Sequence, residues 1–246
     1  MFNLLEAHGP HERLTELGRF LEFWYGQRRS EYGEPAERLG RLDLPYPLRW
    51  FYAIAGRWPS PEPGHGMNYF YTGAGGHHLH DLDGVRLRPD GKLKFFMEYQ
   101  GDWGGLTLPG GDDPPVWIEG YWYEPADDQL DDDERDAMPP KCKQVSEALS
   151  KFLVTHFLMT TAYERPNSSY PRASSQAVDT AFADWLRKDD GALERIWEAE
   201  PDGCPNYDGA FFLFHRHVLV HRSRRGFLKF GALHPEGVEM LRRVLD

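Results

Sequence analysis

Apolar positions recur at helical spacing over His11–Gln27: Leu14, Leu17, Phe20, Leu21 and Trp24 share one side, and Glu12, Arg13, Glu16 and Arg19 take the other. That pattern predicts an amphipathic helix, followed by a polar loop through Arg38. Leu44-Pro45-Tyr46-Pro47-Leu48-Arg49 predicts a second helix, because proline suits a first turn whose N–H groups have no helical partner. Leu48, Phe51, Tyr52 and Ala55 fall on one face, and Gly56 marks the stop. Arg57–Gly76, broken by Pro59, Pro61, Pro63 and several glycines, reads as a long loop with at most a short extended piece at Met67–Tyr71.

The period then shortens. Val85-Arg86-Leu87 alternates, Pro89-Asp90-Gly91 turns, and Leu93–Tyr99 returns, which predicts a hairpin. Gly101-Asp102-Trp103-Gly104-Gly105 interrupts it, and Leu106–Leu108 and Val116–Tyr123 read as further strands. Ser146 or a neighbour starts a helix carrying Leu149, Phe152, Leu153, His156 and Phe157. After a linker at Arg165–Ser175, helices are predicted over Gln176–Lys188 and Ala192–Glu198. Strands follow at Phe211–Phe214, Val218–His221 and Phe227–Phe230, and a last helix covers Pro235–Leu245. Helices and strands come in blocks rather than as alternating βαβ units. The expected class is α+β, an antiparallel or mixed sheet of short strands with N-terminal, central and C-terminal helices packed on it.

Composition adds size and charge. A chain of 246 residues that is 40% hydrophobic, with 8 Trp, supplies one large core, read as a single domain over 1–246. The formal charge is −11, which disfavours non-specific nucleic-acid binding. Eight carboxylates and one arginine in Glu124–Asp136 carry −7 of it, so the remainder is −11 + 7 = −4. Such a run is expected to be a flexible acidic loop. Cys142 and Cys204 are too few for a disulfide framework or a four-cysteine zinc site. No apolar run approaches about 20 residues and the N-terminus has no signal-peptide pattern, so the expectation is a cytoplasmic protein without a membrane partner.

Several segments carry possible chemistry. His77-His78-Leu79-His80-Asp81 could ligate a transition metal in a metal-dependent enzyme, or could be ordinary loop histidines; no framed metal motif accompanies it. Gly73-Ala74-Gly75-Gly76 lacks the Gly-Lys-Ser/Thr of a P-loop, and no serine or cysteine sits in a nucleophile motif. No catalytic residue, metal or cofactor is therefore expected. Glu98, Asp102, Asp112 and Asp113 are acids near glycine-rich turns, available to a cleft or simply turn formers. His215, Arg216, His217, His221, Arg222, Arg224, Arg225 and Lys229 make the last strands basic, either as an anionic-partner surface or as a solvated hairpin.

Taken in order, several blocks resemble the SUKH superfamily, which includes a yeast regulator of cell-wall synthesis and many bacterial immunity proteins. Leu44–Tyr52 ending at Gly56 resembles the family's proline-started helix. Leu82-Asp83-Gly84 and then Asp90–Gly101, with Trp103 after them, resemble its central strand ending in Glu-Asn-Gln-Gly, although Tyr99 stands in place of the Asn. Asp113-Pro114-Pro115-Val116-Trp117 resembles its turn into the next strand, and Leu149–Leu153 its following helix. The blocks span about 40–160; the acidic insertion is long, and the strand-helix extension at 176–246 matches only in general pattern.

The resemblance implies a non-enzymatic protein-binding domain. Bacterial members commonly neutralise a cognate toxin, often a nuclease or deaminase, by direct binding. A regulatory interaction domain of the same fold, without a toxin, is the alternative. On either reading the partner is a protein, and the residues expected to meet it are Glu98, Gln100, Trp103, Asp112, Asp113, Trp117, Asp131, Asp132 and Asp133. Trp103 and Trp117 would act as aromatic anchors or else fill the core, and the acidic loop would steer a basic partner.

Overall fold

The computed structural model describes residues 2–56, 78–98, 103–120, 139–164, 175–188, 193–200, 208–224 and 226–245. The loop at Arg57–Gly76, His77, Gln100, the acidic run with Asp131, Asp132 and Asp133, the linker up to residue 174, and Cys204 lie outside them.

The helices are α1 (Pro10–Tyr25), α2 (Ala36–Leu39), α3 (Tyr46–Ala55), α4 (Leu149–Glu164), α5 (Ser175–Lys188) and α6 (Pro235–Leu245), with a 3₁₀ turn at Ser30–Tyr32. The first sheet contains β1 (His78–Leu79), β2 (Arg86–Leu87), β3 (Leu93–Met97), β4 (Trp103–Thr107), β5 (Val116–Gly120) and β6 (Lys141–Ser146). It runs β1-β3-β4-β5-β6, with β2 also paired to β3. The second contains β7 (Leu193–Glu198), β8 (Ala210–Phe214), β9 (Val218–Arg222) and β10 (Leu228–Ala232), in the order β10-β9-β8-β7. All pairings are antiparallel. The fold is α+β, and its strands divide between two sheets.

Helix α4 lies between those sheets. Phe152 meets Phe95 and Phe96 of β3 edge-on, at 5.7 and 5.2 Å between ring centroids. On the other side, Trp197 of β7 donates its indole N–H to Thr155 Oγ1 at 2.9 Å. A helix buried all round needs internal partners for its polar side chains. Thr155, Thr160 and Thr161 supply their own by donating to carbonyls one turn back. Helices α1 and α3 close the same core, with Phe51 against Phe157 at 5.4 Å.

Alternation in the second sheet makes two cores. Phe211, Leu213 and Leu219 face the core around α4. Phe212, Phe214, Val218, Val220 and Phe230 face a smaller core capped by Phe182 and Trp185 of α5 and Val238 and Leu241 of α6. His215 (φ 44°) and Arg216 (φ 63°) form the tight β8–β9 turn, where two successive left-handed residues match the twist of the strands.

Three expectations change. Ala192–Glu198 is the strand β7 within its described residues, not a helix: Ile196 and Trp197 pack in the core while Glu194, Arg195 and Glu198 stay in water. Packing outweighs the helix propensity of Leu-Glu-Arg here. Lys141–Ser146 forms a strand that the pattern does not announce. Gly104 and Gly105 continue β4 instead of interrupting it.

Candidate partner-binding face

The first sheet buries one face against α4 and presents the other outward. Residues opposite one another in an antiparallel ladder point to the same face. Leu93, Thr107, Val116 and Ser146 are in register and buried. The adjacent row, Arg86, Lys94, Leu106, Trp117 and Gln144, is therefore on the other face, where Leu106 in its middle is only 1% exposed, followed by Met97, Gly104, Glu119 and Cys142. Trp117 is half-buried there, with the Lys92 ammonium 5.5 Å from its ring centroid. Arg88 reaches across to Glu119, one nitrogen donating to Oε2 and Nη2 donating to Oε1 at 3.0 Å. That hydrogen bond to Glu119 raises the Arg88 pKa above its ordinary value. Burial pushes Asp90 up, but the Lys92 amide and the charges of Arg88 and Lys92 outweigh it and hold the carboxyl below its usual range.

The expected interface residues separate sharply. Trp117 is on this face and Asp112 is exposed in the turn before β5. Glu98 and Trp103 are each only 9% exposed, and Trp103 packs against Phe96 at 5.6 Å, so a partner reaches little of either. Asp113 is internal. Its Oδ1 accepts from the Ser150 amide at 2.7 Å, and its Oδ2 accepts from Ser150 Oγ at 2.6 Å and Arg13 Nη2 at 2.9 Å. It caps α4 and pairs with α1, so its role is structural. The turn before it carries Gly110 (φ 62°) and Gly111 (φ 78°), left-handed positions that let it dock on the entry to α3, where the Tyr46 amide donates to the Gly111 carbonyl at 2.9 Å. Gln100, Asp131, Asp132 and Asp133 fall outside the described residues.

The histidine cluster becomes an edge. His78 and His80 have rings 6.0 Å apart, and Asp81 Oδ1 accepts from the Gly84 amide at 2.7 Å as a turn former. Among the described residues no three His, Cys, Asp or Glu side chains converge to hold a cation. The basic C-terminal strands are largely internal. His221 stacks on Phe211 at 4.7 Å, Lys229 lies 4.9 Å from the Tyr163 ring centroid, and Arg222 sits over Phe182 at 5.3 Å. Among the described residues of this basic set only the turn residues His215, Arg216 and His217, with Arg224, are exposed; Arg225 lies outside the described residues.

Burial lowers the pKa of His221, and burial, then His78 and Lys94, bring His80 to about 4. Both take protons less readily folded than unfolded, so acid favours the unfolded chain. The urea midpoint is expected to hold above pH 6.5, the ordinary histidine value, and to fall toward pH 4. A His80→Gln/His221→Gln double variant should show a shallower fall. Equal slopes for the two proteins would refute this assignment.

Among the described residues no helix is long and apolar enough to cross a membrane. No family model, curated protein or solved structure matches the chain.

Proposed function

We propose that the chain is a non-enzymatic protein-binding domain of the SUKH type, acting as an immunity protein that neutralises a cognate nuclease- or deaminase-type toxin by direct binding. The observation that carries this reading is the way the SUKH-like blocks meet. Leu44–Gly56 supplies α3, Asp90–Met97 leads into β3, Asp113–Trp117 turns into β5, and Leu149–Leu153 opens α4. They converge through Phe51–Phe157, Phe95–Phe152 and Asp113–Ser150. An ordered set of blocks folded around one helix is what a shared domain would require. The outward face of the same sheet, with Trp117 between charged side chains, suits a protein partner.

Co-expression with the product of the adjacent gene tests it. Growth should be restored and the two proteins should co-purify; a non-toxic neighbour, or no complex, would reject the reading. In that complex Trp117→Ala is expected to weaken affinity about 30-fold, as loss of an aromatic anchor does. The fold should survive the change, because Trp117 is only partly buried and lies outside the main core. Unchanged affinity by calorimetry would remove Trp117 from the interface.

A further inference from the structure

Arg86 and Lys94 stand directly opposite each other on the outward face of the β2–β3 ladder. Like charges so placed destabilise a sheet. The nearby carboxylates are committed elsewhere: Asp81 to the Gly84 amide, Asp83 to Arg38, Glu119 to Arg88, and Asp90 between Arg88 and Lys92. Among the described residues neither Arg86 nor Lys94 has a carboxylate within ion-pair distance. Two imidazoles border the same corner, since His78 is in register with Met97 and lies beside His80. The depression of His80, caused by burial and then by His78 and Lys94, with Asp81 opposing and Arg86 adding to it, registers the excess positive charge.

The floor of this corner is bare backbone. A Cβ placed on Gly104 would stand 2.8 Å from Lys94 Cε and 3.3 Å from its Nζ, so the glycine lets the lysine stem lie flat on the sheet. Along the same row come Leu106 and then Trp117. With strands about 4.8 Å apart, the aromatic ring lies two strands, or about 10 Å, from Lys94. The reachable part of the row thus reads cation, cation, aromatic, with Leu106 buried in between.

We propose that this row is a docking site for an acidic, aromatic-bearing extended segment of a protein partner. One carboxylate seats between Arg86 and Lys94, and an apolar side chain lies against the exposed part of Trp117, with Leu106 buried between them (1% exposed). The proposal rests on the protein-binding reading above and names the chemistry of the partner's segment. That segment is separate from any basic surface that the acidic stretch Glu124–Asp136 would steer toward. A charge of −11 repels a continuous run of phosphates, whereas two fixed cations match one or two carboxylates.

The probe is a fluorescein-labelled Glu-Glu-Ala-Phe-Glu-Glu peptide, followed by fluorescence polarisation at low salt. Arg86→Ser/Lys94→Ser is expected to weaken binding about tenfold or more, and so is replacing every Glu of the peptide by Gln. Trp117→Ala should weaken the Phe peptide but not a version with Ala in place of Phe. Equal binding of the Gln peptide, equal binding by the double variant, or tighter binding of an oligothymidylate of matched charge would overturn the site. Without peptide, Lys94→Gln should raise the melting temperature by relieving the like-charge pair; a lowered or unchanged value would contradict it. The peptide assay contains no toxin. Peptide binding with failed rescue defeats the immunity reading alone, and rescue without peptide binding defeats the docking site alone.

Discussion

Replacing Asp113 by alanine is expected to lower the unfolding free energy by about 3–5 kcal/mol, the cost of stranding one member of a buried ion pair. The Arg13 and Asp113 side chains are 9% and 12% exposed. Arg13 also donates from Nε to Ser150 Oγ at 2.8 Å and from Nη1 to the His8 carbonyl at 3.0 Å. Losing the carboxylate leaves the guanidinium in a low-dielectric site without its counter-charge. It also removes the acceptor for the Ser150 amide at the start of α4, a cap worth about 1 kcal/mol by itself.

Urea unfolding at constant slope gives the number. A loss below about 1 kcal/mol would mean that water replaces the carboxylate and that the network is not buried in solution. Arg13→Met/Asp113→Leu should lose less than the sum of its single changes, because the charge and its partner leave together. Asp112→Ala, one residue away and exposed, should fall within about 0.5 kcal/mol of the parent. The contrast separates a structural acid from a surface acid in adjacent positions.

This pair also marks how far the sequence can be read. Local rules were sufficient where cause and effect are neighbours. Pro47 in the first turn and Gly56 at the end bracket α3 as expected, and Leu14, Leu17, Phe20, Leu21 and Trp24 are the buried face of α1. They fail where the cause is distant. Asp113 looks like a turn acid before two prolines, yet its hydrogen-bond partners are 37 and 100 residues away. Lys141–Ser146 has little strand propensity and becomes a strand because β5 offers it a ladder. Leu193-Glu194-Arg195 favours helix and is overruled by pairing with β8.

The outward face was half legible. The aromatic character of Trp117 is visible in the sequence, but the Arg86–Lys94 juxtaposition is set by hairpin register. Arg86, Lys94 and Leu106 could have been found by pairing the hairpin on paper and marking the positions opposite the apolar ones. The basic character of the C-terminal strands misled for the converse reason. His221 and Lys229 are directly opposite in the β9–β10 ladder and face α4, so their chemistry is spent inside.

Substituting Gly231 by alanine should be among the most damaging single changes in the protein. Gly231 lies in β10 where α4 crosses the second sheet. A Cβ there would sit 2.3 Å from the Thr161 carbonyl oxygen and 3.2 Å from the Ala162 Cα. Both are helix backbone, so no rotamer change relieves the overlap. Helix α4 cannot retreat either, because Phe152 is already wedged against Phe95 and Phe96 on the opposite side. The expected loss is about 3 kcal/mol or more, at or beyond the upper end of ordinary overpacking. Gly9→Ala is the control, since nothing lies within 4 Å of its added methyl.

The form of the transition matters as much as its position. Phe211, Leu213 and Leu219 share a core with α1, α3 and the first sheet, so the damage should spread through the whole chain. Circular dichroism and tryptophan fluorescence should report one coincident transition, shifted down in denaturant with an unchanged slope. Two separated steps, with only the later strands destabilised, would show that the C-terminal sheet folds as its own unit. Coincident loss would instead mean that α4 makes the second sheet part of the same cooperative body as the outward face of the first.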